Sequence, residues 1–218
     1  MENVSIARRD NAWPWDREIT APESGADSVR ISVVTPSYNQ GEFIEETIRS
    51  VVLQDHSNLE YLVIDGGSTD QSVQVIEDHS QWIASWVSEP DSGQANAVNK
   101  GWSQTDGDIL GWLNSDDLLM PGTLRYVAAV FQNEPDCVAV VGRTLITDRY
   151  LNGVLTKDAY RVETDRILCG ASMPGQPSVF VRRAVFDTVG GLDEALHYSL
   201  DREFWLRISR AYSPDQFH

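Results

Sequence analysis

The chain has 218 residues, of which 41% are hydrophobic and 23% charged, enough to bury one sizeable core. Its formal net charge is -16, and no cluster of Lys and Arg forms a stripe that could follow a phosphate backbone, which argues against nucleic acid as a partner. A protein this acidic can take an anionic ligand only by offsetting repulsion with a cation or with backbone N–H groups.

Two cysteines, Cys137 and Cys169, match no metal-ligand spacing and are too few to staple a domain of this size. Both read as core thiols in a reducing compartment. The first ten residues carry Glu2, Arg8, Arg9 and Asp10 and lack the apolar centre of a signal peptide, and no apolar run is long enough to span a bilayer. The expectation is a cytoplasmic protein, with contact at the inner face of a membrane left open.

Residues 1–29 show neither a helical nor a strand period and read as a tail, with Trp13 and Trp15 pinning it to the domain that follows over residues 30–218. Order begins at the β-branched run Ile31-Ser-Val-Val-Thr35, a buried strand ended by Pro36. Asn39 then suits a helix N-cap, with Glu42 in capping-box position and Phe43, Ile44, Ile48, Val51 and Val52 on an apolar face. Tyr61-Leu-Val-Ile64 reads as a second strand, parallel to the first through a right-handed crossover. The alternation repeats with a helix carrying Val73 and Ile76, a strand around Ser85 to Ser88, a helix from Gln94 to Ser103 and the apolar strand Ile109-Leu-Gly-Trp-Leu113. Strands and helices alternating in this way predict a Rossmann-like, open and mostly parallel sheet with helices on both faces, whose ligands sit at the carboxyl ends of the strands.

The motifs that carry chemistry lie at such ends. After the first strand, Thr35 and Pro36 can line a crevice and Tyr38 can offer its ring to a base, although Pro and Asn at such a junction also simply build the turn. In Asp65-Gly-Gly-Ser-Thr-Asp70 the glycines allow close backbone approach and Asp65 can accept a hydrogen bond from a base or ribose, whereas Asp70 serves the following helix and Ser68 with Gln71 can form a capping box. Gly93, Asn96 and Lys100 fall on one helical face and aim polar groups in a common direction. Asp116 and Asp117 are costly side by side unless something positive lies near, and hard oxygen ligands suit Mg²⁺ or Mn²⁺; a solvated acidic turn is the alternative. Asp201 opens a helix whose buried side carries Phe204, Trp205 and Ile208, where it can cap the helix or, facing the crevice, act as a base.

Taken in order, these segments resemble the family 2 glycosyltransferases of GT-A fold, from about Arg30 to about Arg210. The resemblance implies that Thr35, Pro36, Tyr38 and Asp65 hold the nucleoside. It further implies that the Asp-any-Asp position is Asn114-Ser-Asp116, so that Asp116 binds metal and, with Asp117 beside it, the nucleotide sugar. Asn114 departs from the usual first aspartate. Asp201 falls at the catalytic-base position, preceded by Leu200 where an acidic residue is common. Pro177-Ser-Val-Phe-Val181 and Gly190-Gly-Leu-Asp193 look like acceptor-side elements, which divides the domain into a nucleotide-binding half over about 30–120 and an acceptor-side half over about 121–218. Part of the acceptor site is expected to lie outside this chain. The activity implied is metal-dependent, inverting transfer from a nucleoside-diphosphate sugar, UDP-sugars favoured, to a saccharide, lipid-linked or other hydroxyl acceptor, in bacterial-type polysaccharide or glycoconjugate synthesis. Asn114 supports the rival reading, a catalytically silent nucleotide-binding or scaffold domain. The first strand–helix turn lacks the glycine fingerprint of dinucleotide-binding oxidoreductases.

Overall fold

A computed structural model describes residues 13–19, 29–159, 162–171 and 173–218. In chain order the elements are β1 (Ile31–Ser37), α1 (Ile44–Val52), β2 (Leu59–Asp65), α2 (Ser72–Asp78), β3 (Ser85–Ser88), α3 (Gln94–Ser103), β4 (Ile109–Trp112), α4 (Thr123–Asn133), β5 (Ala139–Val141), β6 (Thr144–Thr147), β7 (Gly153–Lys157), α5 (Thr164–Leu168), β8 (Val179–Arg182), α6 (Arg183–Val189) and α7 (Leu200–Ala211). Six strands form one sheet in the order β3-β2-β1-β4-β8-β5, and β6 and β7 pair as a separate hairpin. β1, β2, β3 and β4 run parallel, and β8 is antiparallel to both of its neighbours. The mostly parallel sheet expected from the alternating pattern is therefore present.

Every residue of β1 is buried, because helices cover both faces of the sheet. Neighbouring side chains serve opposite cores: Val33 joins Ile48, Leu124 and Val127 on the α1 and α4 side, whereas Val34 joins Trp102, Trp112, Phe204 and Trp205 on the α3 and α7 side. Helix α3 comes unusually close to β1 at Gly101, where an added Cβ would lie 2.4 Å from Val34 Cγ1. The tail residues Trp13 and Trp15 pack on the domain. The Trp13 indole donates to Leu119 O at 2.8 Å, and the Arg49 guanidinium stands 4.4 Å over the Trp15 ring.

Two local expectations are corrected. Asn39 adopts a left-handed φ of 52° and caps no helix; its side-chain oxygen instead accepts from Thr69 N, α1 begins only at Ile44, and Glu42 pairs with Arg149. Ser68 forms no capping box, since its hydroxyl donates to Asp65. Of the two cysteines, Cys137 is buried as expected and Cys169 is exposed.

Candidate active site

The chain runs from β1 out to β2 and β3 on one side and then returns to β4 on the other, so the sheet reverses direction of growth between β1 and β4. The carboxyl ends of two strands diverge at such a switch point and leave a crevice. Here the crevice holds about 730 Å³, inside the range of roughly 300–1,000 Å³ usual for small-ligand sites. Pro36, Ser37 and Tyr38 line it from the end of β1 and Gly66 from the end of β2. Asp91, Gly93, Gln94 and Ala97 contribute from the entry to α3, and Asn114, Ser115 and Asp116 from beyond β4.

Several features suit a nucleotide. The Tyr38 ring is 62% exposed, which leaves it open to stack on a base. Gly93, with φ of 118°, turns the chain into α3, and the first N–H groups of that ten-residue helix have no intrahelical acceptor, an arrangement that favours phosphate. Ser37 is buried to 5% exposure, lines the crevice, and its Oγ has no hydrogen-bond partner among the described residues. A buried hydroxyl left in that condition calls for a partner.

The structure separates the residues singled out from sequence. Pro36, Tyr38, Gly93 and Asp116 line the crevice; Thr35, Asp65, Asn96, Lys100, Asp117 and Asp201 do not. Thr35 lies fully buried beneath it and accepts from the Tyr61 hydroxyl at 3.0 Å. Asp65 is also fully buried, and its carboxylate accepts from Gly67 N, Ser68 N, the Ser68 hydroxyl and the Ser88 hydroxyl at 2.5 to 3.1 Å. Its carboxylate thus shapes the glycine loop that forms one wall. Asp65→Ala strands several donors, each costing about 1–3 kcal/mol when buried without a partner, so the variant should lose at least about 5 °C in melting temperature. Thermal denaturation within about 1 °C of the parent would show that the loop holds without it. Asp70 has the helix-end role expected, accepting from Ser72 N and Gly41 N; burial opposes its charge, but these bonds and the Ser72 hydroxyl hold the carboxyl below its ordinary value.

The polar face of α3 is turned elsewhere than expected. Asn96 donates to Glu194 at 2.9 Å and Lys100 pairs with Glu89, because both side chains find protein carboxylates beside the helix. Sequence reasoning passed over Ser37, Asp91 and Gln94. Only their nearness to recognised motifs marked them, since a lone hydroxyl or amide carries no spacing signal.

Beyond β4, Gln94 Nε2 donates to Asn114 Oδ1 at 2.5 Å across the crevice, and Asp117 N donates to Asn114 O at 3.0 Å. Asp116 is exposed and borders both the crevice and a second cavity of about 890 Å³ that is walled by α4, β5 and the β6 strand. Asp117 faces that second cavity. Burial, then the neighbouring Asp116 charge, pushes its carboxyl up to about 6, with a hydrogen bond from Asn114 acting in the opposite sense. A folded-state value above the ordinary one means that the folded protein binds this proton more tightly. The penalty on Asp117 is therefore full above pH 6 and relieved as pH falls from about 6 towards the ordinary carboxylate value. Asp117→Asn should raise the melting temperature by about 5 °C at pH 7 and by much less at pH 4.5; equal increments at both would contradict the shift.

Among the described residues no group of three His, Cys, Asp or Glu converges on one point. That does not conflict with Mg²⁺ or Mn²⁺, which at phosphate sites use one or two carboxylates and take further oxygens from the substrate and water. Asp116 is an exposed hard oxygen ligand on the crevice wall, and Asn114 offers a carbonyl oxygen that Gln94 already engages.

Asp201 is partly buried in the first turn of α7, and its carboxylate makes no hydrogen bond or ion pair among the described residues. The helix is anchored by Leu200 and by Trp205, whose ring stacks on Trp112 at 5.5 Å with 20° between planes. Trp112 is the last residue of β4, two before Asn114, so this stacking ties the helix carrying Asp201 to the strand that leads to Asp116.

A mostly parallel sheet with a crevice at its switch point and adjacent aspartates beyond β4 is the arrangement of the GT-A fold. The sequence profile described as Glycosyl transferase family 2 matches residues 32–190, and the chain belongs to that family. A glycosyltransferase of Haemophilus influenzae is 25% identical over 181 residues, covering 82% of this chain and 61% of its own. Among solved structures, residues 1–349 of S. aureus TarS superpose with a TM-score of 0.67 at 25% identity, over 83% of this chain and 55% of that one. The mannosyltransferase PcManGT from Pyrobaculum calidifontis, crystallised with GDP-Man and Mn²⁺, shares the fold with a TM-score of 0.64 at 21% identity, over 87% of this chain and 56% of that one. The chain thus spans 61% or less of these relatives. No helix among the described residues is long and apolar enough to cross a membrane.

Proposed function

We propose that the 730 Å³ crevice binds a nucleoside-diphosphate sugar, a UDP-sugar by preference, and that the chain transfers the sugar to an acceptor hydroxyl with inversion. The observation that carries the reading is the Ser37 hydroxyl, buried and without a partner on the wall of a crevice that also holds Tyr38, the α3 N-terminus and Asp116. Tyr38 stacks on the base, the first N–H groups of α3 meet the diphosphate, and Asp116 would hold Mg²⁺ or Mn²⁺, which when bound would supply charge neutralisation for the leaving diphosphate. Asp201 takes the proton from the acceptor hydroxyl while that oxygen attacks the anomeric carbon on the face opposite the departing nucleotide, so one bond forms as one breaks and the configuration inverts. Asp65 acts at one remove, by setting the loop that contains Gly66. The metal reading draws support from PcManGT and from the M. tuberculosis glucosyl-3-phosphoglycerate synthase, both crystallised with Mn²⁺.

A ligand that binds only the native state raises its apparent stability, by about 2.7 kcal/mol at a hundredfold excess over Kd. A thermal-shift screen of UDP, GDP and dTDP, each with and without Mn²⁺, should therefore give the largest shift for one nucleotide with the metal. No shift from any of them at millimolar concentration would remove the crevice from this role.

A further inference from the structure

We propose that Glu194, gripped by Asn96 and Asn99, is a positioning residue that sets Asp201 in place relative to the nucleotide crevice. The inference rests on the function proposed above. Asn99, near the middle of α3, holds the loop after α6 as a second strand would: its Oδ1 accepts from Leu192 N at 2.8 Å and its Nδ2 donates to Leu192 O and to Glu194 Oε1, each at 2.9 Å. Asn96, one turn earlier, donates to the other oxygen of Glu194 at 2.9 Å. The two amides also hold the Glu194 carboxyl below its ordinary value. The approach is as close as the backbone permits, since a Cβ on Gly191 would lie 2.3 Å from Asn99 Oδ1.

The same loop is gripped from α7. Arg207 pairs with Glu203 in its own helix and donates to the carbonyls of Val189 and Gly191. One end of α3 thus lines the crevice through Gly93, Gln94 and Ala97, and its side chains hold a loop that is itself fastened to the helix bearing Asp201. The latch spans the donor and base sides of the site.

Magnitudes separate positioning from plain stability. Glu194 is exposed, and exposed polar contacts add little to folding, so a variant should keep its fold. Misplacing a catalytic group by about 1 Å can cost up to about a hundredfold in rate.

The test compares Glu194→Ala with Glu194→Gln, which keeps the side chain's length and one acceptor oxygen and lets the Asn96 amide turn to meet its new N–H. Release of nucleoside diphosphate to water is measured, because it needs no identified acceptor, together with nucleotide Kd and amide exchange over residues 199–203. Glu194→Ala should lower turnover by about tenfold or more, leave Kd within about twofold and speed exchange over 199–203, while Glu194→Gln keeps at least about half of the parental rate. Unchanged exchange over 199–203 in the Ala variant, or a Kd that worsens in step with turnover, would overturn the latch. A parent that binds no nucleotide would instead contradict the proposed function, and the exchange measurement would still decide the latch.

Discussion

Asp201→Asn is expected to cut turnover by about 10²–10⁴ while nucleotide affinity stays within about twofold of the parent. The asparagine has nearly the same shape but cannot accept a proton, so the change removes the chemistry and leaves the packing. The helix around it should be indifferent, because Asp201 has no hydrogen bond or ion pair among the described residues, whereas Leu200, Phe204 and Trp205 hold the helix in the core. Single-turnover kinetics with a saturating donor isolate this step. Near-parental turnover would remove Asp201 from the base role. Inversion is tested separately by NMR of the product from an α-linked donor, where a β-linkage is expected and an α-linkage would contradict direct attack from the face opposite the nucleotide.

The second large effect is on stability. Trp205→Ala should cost about 3–5 kcal/mol, since it empties the space of a large, well-packed side chain. Trp205 is 2% exposed, stacks on Trp112 and lies with its centroid 5.3 Å from that of Phe204. Its indole Nε1 is buried and has no hydrogen-bond partner among the described residues, so Trp205→Phe, which removes that unsatisfied group with part of the volume, should cost no more than about 1.5 kcal/mol. Urea denaturation reads both values. A loss below about 1 kcal/mol in the Ala variant would mean that the aromatic cluster does not tie α7 to β4.

Where local pattern decides, the sequence was legible. The bounds of α3 and β3 match those expected; for α3 the reason is local, since Ala95, Ala97, Val98, Gly101 and Trp102 form one buried helix face. The crevice was legible as well: a doubly wound order forces a switch point, and Pro36, Tyr38, Gly93 and Asp116 all lie there. Partners elsewhere in the chain account for what was not legible. Asp65, Asn96 and Lys100 have the right chemistry to meet a ligand and Asn39 to cap a helix, and each finds a partner within the protein: Ser68 and Ser88 for Asp65, Thr69 for Asn39, Glu194 for Asn96 and Glu89 for Lys100. Glu89 and Lys100 are 11 residues apart and Asn96 and Glu194 98 apart, so no periodicity links them. The same separation hid the role of Asn99, whose partners lie beyond α6.

The crevice is expected to take a nucleoside diphosphate through a cation held by Asp116. Isothermal titration calorimetry tests it, using the nucleotide that gives the largest thermal shift, first with Mn²⁺, then with excess chelator, and then with Asp116→Ala in place of the parent. The Asp116 carboxylate on the crevice wall and a diphosphate repel each other in a partly enclosed site unless a cation stands between them. The expected result is binding with Mn²⁺ that weakens by at least about tenfold on chelation, a difference of about 1.4 kcal/mol, and an Asp116→Ala variant whose weaker affinity no longer responds to the metal. Equal affinity with and without Mn²⁺, or a metal response that survives the loss of Asp116, would contradict it.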